Sequence, residues 1–73
     1  MCKGKIKELV NKNVSKVVVC NIVDSNDIID EYENIDDMYL NDFVEYVSTL
    51  KVVSYEYKDI EEYENVLVIY VSM

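Results

Sequence analysis

Glu56 and Lys58 are the residues of this chain best placed to do chemistry. One position apart in a segment with strand alternation, they project from the same face. A carboxylate beside an amine in that arrangement can hold a divalent metal and steady a developing anion. Nothing else in the chain converges on them. There is no histidine, so a serine or cysteine nucleophile lacks its usual base. The single glycine, Gly4, is too little for a phosphate-cradling loop. The two cysteines, Cys2 and Cys20, read as free thiols, with Cys20 a small apolar residue of a buried strand. A calcium loop opening at Asp24 would put Ile28 at its fifth position, Ile29 where glycine belongs and Ile35 where the bidentate glutamate belongs. The expectation is a protein that is not an enzyme, with no catalytic residue, no metal and no cofactor.

The carboxylates carry more information as a group. The chain has 73 residues and a formal net charge of −8. Residues 1 to 16 hold five lysines against Glu8, whereas residues 24 to 50 hold nine acids and no base. Like charges crowded into a small fold oppose its compaction, so a row of acids retained on one stretch points to a basic partner. In helical form, at about 1.5 Å per residue, positions 24 to 45 would span roughly 30 Å. Duplex DNA carries one charge per roughly 1.7 Å of axis, so the row is sparser than DNA and far denser than an ordinary surface. Asp30, Glu31, Glu33, Asp36, Asp37 and Glu45 are the expected phosphate-like groups, and Glu61 and Glu62 a second row on a later loop. Tyr39 and Tyr46, set among the acids, are the expected apolar anchors, since tyrosine joins a large contact area to a hydroxyl. The same charge argues against direct nucleic-acid binding and against an anionic membrane surface.

The elements that must position these groups follow from periodicity. Ile6, Leu9, Val10 and Val14 recur at helical spacing with lysines on the other faces, a short amphipathic helix that Asn11 or Asn13 can end. It should dock on the sheet. Residues 17 to 23 are a β-branched run, apolar on both faces, followed by Asp24 or Ser25 as a helix N-cap. Residues 26 to 50 show two stripes out of phase. Ile28, Ile29, Tyr32 and Ile35 form one, and Leu40, Phe43, Val44, Val47 and Leu50 the other. Two helices broken at residues 34 to 37, with Asp36 or Asp37 capping the second, account for this. The last 22 residues read as a hairpin with strands at 52 to 57 and 66 to 71 around an acidic loop at 58 to 65.

Together these predict one small α+β domain over residues 1 to 73, α-β-α-α-β-β, with a three-stranded sheet in the order 1-3-2 and helices packed on it. The last strand, apolar on both faces, must be central. One edge of the first strand would be left open for the first helix or a second copy of the chain. No run of about 20 apolar residues is present to span a bilayer, and the basic start, interrupted by Lys7, Glu8, Asn11 and Lys12, lacks the apolar core of a secretory leader. The expected location is the cytoplasm.

Two resemblances bear on function. Glu56-Tyr57-Lys58 resembles the acid-x-Lys element of metal-dependent nucleases of the PD-(D/E)xK type, over three residues only, and that family's preceding strand with its Asp has no counterpart here. In size, acidity and composition the whole chain looks like the phage-encoded class of anti-CRISPR and anti-restriction proteins. That likeness implies an inhibitor that enters the nucleic-acid site of a host defence enzyme by mimicking nucleic acid. Its partner is a basic nucleic-acid-binding protein or complex. The alternative is an interaction module or homodimeric subunit that binds through shape and its tyrosines.

Overall fold

The computed structural model describes residues 1–10, 13–33 and 40–72. Within them lie α1 (Lys3–Val10), β1 (Lys16–Asn21), β2 (Ile28–Tyr32), α2 (Leu40–Ser48), β3 (Lys51–Ile60) and β4 (Tyr63–Ser72). The strands make one sheet in the order β2-β1-β4-β3. β1 and β4 run parallel, and the two outer pairs are antiparallel. This is a small α+β domain with both helices on one face of the sheet.

Side-chain alternation along β1 and β4 builds the main core. Val17, Val19, Leu67, Ile69 and Val71 face the helices, and Ile6, Leu9, Phe43, Val44 and Val47 close over them. The first helix docks on the sheet as its apolar stripe requires, and Val14, just beyond it, is buried too. The Tyr57 hydroxyl donates to the Leu9 carbonyl at 2.9 Å, satisfying one of the carbonyls that a helix C-terminus leaves without a partner. Asn13 takes the left-handed conformation, φ 60°, that leads the chain from α1 into β1. α2 carries the expected stripe. Its end is satisfied by Ser48 and Thr49, whose hydroxyls donate to the Glu45 and Tyr46 carbonyls at 2.7 and 2.6 Å.

The helix expected from residue 26 is instead strand β2, and the sheet has four strands rather than three. Asp24 explains the difference. Its carboxylate accepts the Asn26 N–H at 3.0 Å and its carbonyl accepts the Asp27 N–H at 2.9 Å, and the Asn21 N–H then donates to the Asp27 carbonyl at 3.1 Å. The bond from an aspartate to the N–H two residues on serves a turn as well as a helix cap, and here it closes a hairpin. Ile28, Ile29 and Tyr32 mimic helical spacing because Ile29 is the extra residue of a β-bulge: Cys20 pairs with Ile28 and Val19 with Asp30. A bulge resets the alternation, which lets Ile29 and Tyr32 both pack on the helix-side core.

β2 therefore covers the β1 edge that was expected to be open. The inner order, with the last strand between the first and its hairpin partner, is as expected. The expected break at residues 34 to 37 and its caps Asp36 and Asp37 lie outside the described residues. The acidic loop expected at 58 to 65 shrinks to a turn at Glu61 and Glu62, with Glu61 and Asn65 both at φ 54°. The Asp59 carboxylate accepts the Asn65 N–H at 3.0 Å across a second irregularity in the ladder.

Leu67, fully buried on the central strand, reports on this packing. Leu67→Ala should lower unfolding free energy in urea by about 2–5 kcal/mol, a large part of what so small a core can supply. A loss under about 1 kcal/mol would show that β4 is not central.

Candidate functional site: the helix-free face of the sheet

Among the described residues the second face of the sheet has no helix on it, yet its centre is apolar. In the ladder Val18 lies opposite Val68, with Glu31 flanking on β2 and Glu56 on β3. One row along, Lys16 and Lys58 flank Val66. Val18, Cys20, Val66 and Val68 are only 0–7% exposed, with Ile60, Tyr63 and Tyr70 packed against them. Small β-branched residues at the middle and long charged ones at the edges produce this arrangement, because lysine and glutamate stems lie over apolar surface while their heads reach water.

Above this floor lies an open cavity of about 630 Å³. Lys16, Lys58, Glu31, Glu33, Glu61 and Glu62 line it, together with Tyr63 and Tyr70, and the β1–β2 turn closes one end through Ser25, Asn26 and Ile28. Lys16 is the most enclosed of the charges. It pairs with Glu31 and lies 4.5 Å from the centroid of the Tyr63 ring. The hydrogen bond to Glu31 holds the Lys16 ammonium above its ordinary pKa, and Glu56, 3.2 Å from Lys58, does the same there. Glu33, Glu61 and Glu62 form no ion pair with a lysine among the described residues, although the Glu33 charge also helps to hold the Lys16 proton. Among the described residues the cavity thus has two cations already engaged and three carboxylates outside any ion pair.

Of the residues expected from sequence to meet a partner, Glu31, Glu33, Glu61 and Glu62 come together here. Asp30 does not join them: it faces the helix layer, where its carboxylate accepts the Tyr32 hydroxyl at 2.8 Å. Glu45 lies on α2 and pairs with Lys3 across the helices. Tyr46 packs partly buried against the main core. Asp36, Asp37 and Tyr39 lie outside the described residues. Among the described residues, β2 with the residue that follows it and the β3–β4 turn bring two acidic pairs, Glu31 with Glu33 and Glu61 with Glu62, to the lining of one cavity in place of a helical row. Lys16 and Tyr70 were not expected at a site, while for Tyr63, flanked by acids, an interface and sheet packing were equally expected. A signal existed, since β1 and β4 are apolar on both faces and so define a second surface that some residues must border.

The groups with catalytic potential are otherwise engaged. Glu56 and Lys58 pair with each other. Burial pushes the Cys20 thiol up from its ordinary value, the opposite of what a nucleophile needs. Among the described residues no three potential ligand side chains gather as a metal site would require, and no helix is long and apolar enough to cross a membrane. No protein-family model, curated protein or solved structure matches the chain.

Two measurements check these electrostatics. Burial, then the hydrogen bond to Asp30, raises the Tyr32 phenol to about 12. Because the folded state holds this proton more tightly than the unfolded chain, its contribution to stability is complete below about pH 10 and is lost as pH rises toward 12. Absorbance at 295 nm should show a phenol step near pH 12 that is absent in Tyr32→Phe and moved lower in Asp30→Asn; an unmoved step in Asp30→Asn would deny the bond.

The melting temperature, for its part, should rise between low and physiological salt. The exposed pair Lys3–Glu45 is worth no more than about 1 kcal/mol, whereas salt relieves repulsion across the whole excess of eight negative charges. A fall in melting temperature would mean that ion pairing outweighs the repulsion.

Proposed function

We propose that this protein is a small inhibitor of phage or mobile-element type that binds the nucleic-acid site of a host defence enzyme, as anti-CRISPR and anti-restriction proteins do. In this reading it acts in the host cytoplasm without catalysis of its own. One observation carries it: two acidic segments about 30 residues apart in sequence, Glu31 with Glu33 and Glu61 with Glu62, border one cavity, and three of these four carboxylates form no ion pair with a lysine among the described residues. Maintaining them unpaired costs stability, and a basic partner repays that cost on binding. Carboxylates held on strand ends and a tight turn lose little entropy when they dock, and their field accelerates encounter with a basic surface.

A second reading, an interaction module that binds through shape, draws on the β1–β2 turn. Ile22 and Val23 are exposed there, Val23 at 89%, with Ile28 at 50% alongside. Contacts made mainly by these residues would be insensitive to salt.

Binding to a purified CRISPR effector or restriction enzyme should weaken steeply as salt rises, and DNA should compete. Glu61→Lys with Glu62→Lys, both on an exposed turn, should weaken binding about tenfold or more, or about 1.4 kcal/mol, without lowering the melting temperature. Salt-insensitive binding would favour the apolar turn, and affinity unaltered by the double reversal would remove the acidic end from the interface.

A further inference from the structure

We infer that the cavity on the helix-free face seats an arginine side chain of the partner protein, with its guanidinium between the Tyr63 ring and the carboxylates of Glu33, Glu61 and Glu62, none of which is in an ion pair among the described residues. This rests on the function proposed above and specifies the contact it would make.

The shape comes first. A volume of about 630 Å³, open on one side, lies within the size range of ligand sites. Its floor is apolar but already shielded: Val18, Cys20 and Val68 are at most 7% exposed. A broad apolar partner would therefore gain little by covering it. A second copy of this chain fits worst, because it would bring another eight negative charges to a lining that already has four glutamates against two lysines. The occupant that this lining fits is a single narrow side chain, cationic at its tip.

The cavity already contains a demonstration of that chemistry. The Lys16 ammonium sits 4.5 Å from the Tyr63 centroid while pairing with Glu31. A cation satisfied at once by an aromatic ring and a carboxylate is what the remaining carboxylates, with Tyr63 and Tyr70 beside them, offer to an incoming group. Guanidinium suits the vacant part better than ammonium. It is planar, less strongly hydrated, stacks on aromatic rings, and forks its donors onto two carboxylates at once. Arginine is also the side chain with which nucleic-acid-binding proteins most often meet phosphate and guanine, so a carboxylate cavity would capture the residue the enzyme uses on its own substrate.

The test is a titration of the whole protein, isotope-labelled, with hexa-arginine peptide followed by NMR. Resonances of Val18, Tyr63, Tyr70 and Val68 should move together and saturate. Glu33→Gln with Glu61→Gln and Glu62→Gln should weaken binding at least tenfold. The charge-matched control Glu8→Gln with Asp42→Asn and Glu45→Gln, on the helical side, should change it by less than twofold. Hexalysine should bind more weakly. Shifts confined to α1 and α2, equal loss in both triple variants, or hexalysine binding as tightly as hexa-arginine would each overturn the assignment. Capture of a defence enzyme that survives the cavity triple variant would overturn this inference while sparing the proposed function; peptide binding in the cavity with no nucleic-acid-processing enzyme captured would do the reverse.

Discussion

The parallel pair β1 and β4 is the constraint on which the rest of this structure depends. Each strand is apolar on both faces, so neither tolerates an edge or a wet side. β4 satisfies this by lying between β1 and β3, with Leu67, Ile69 and Val71 under the helices and Val66 and Val68 under the rim of the opposite face. β1 needs a neighbour on its other side and gets β2. Parallel pairing also requires the chain to cross from one end of the sheet to the other between β1 and β4, and α2 lies in that stretch, over the helix-side core.

Because the middle of the sheet is reserved for small β-branched residues, charge is pushed outward. On the helix side the outward positions are α1 and α2, where Lys3 and Glu45 meet in water. On the other side they are the start of β1, β2, β3 and the β3–β4 turn, which bring Lys16, Lys58 and four glutamates to the cavity. Nothing charged is buried among the described residues. The described acids thus incur no desolvation penalty of an interior charge. Their cost is mutual repulsion at a distance, which solvent and salt moderate, and which a fold this size can carry only if its core is tightly packed.

The same geometry shapes the functional reading. A helical row of carboxylates would imitate the even spacing of a phosphate backbone. The structure offers something more local: a shielded apolar floor, aromatic walls and, among the described residues, carboxylates outside any ion pair. On the proposed reading, such a surface would meet a single side chain more than a long basic channel. Binding of this kind concentrates its energy in a few desolvated contacts with a charged rim around them, as protein interfaces commonly do.

Composition and periodicity were enough to read the core. The stripes of α1 and α2, the central position of the last strand, a buried Cys20 and the excess of acids all follow from residue type and spacing, because burial alternates with a period that each element imposes on its own residues. The β2 strand was not legible. Asp24 makes the same carboxylate-to-N–H bond whether it caps a helix or closes a turn, and the bulge at Ile29 gives Ile29 and Tyr32 a helical spacing on a strand. Which acids share a surface was equally hidden: Asp30 and Glu31 are neighbours in sequence and lie on opposite faces of the sheet, whereas Glu31 and Glu62 are far apart and border one cavity. Sequence alone determined that this chain has a strong negative charge and a two-sided apolar strand pair. Only tertiary structure decided where that charge gathers, because strand pairing joins distant segments in a register that local spacing does not encode.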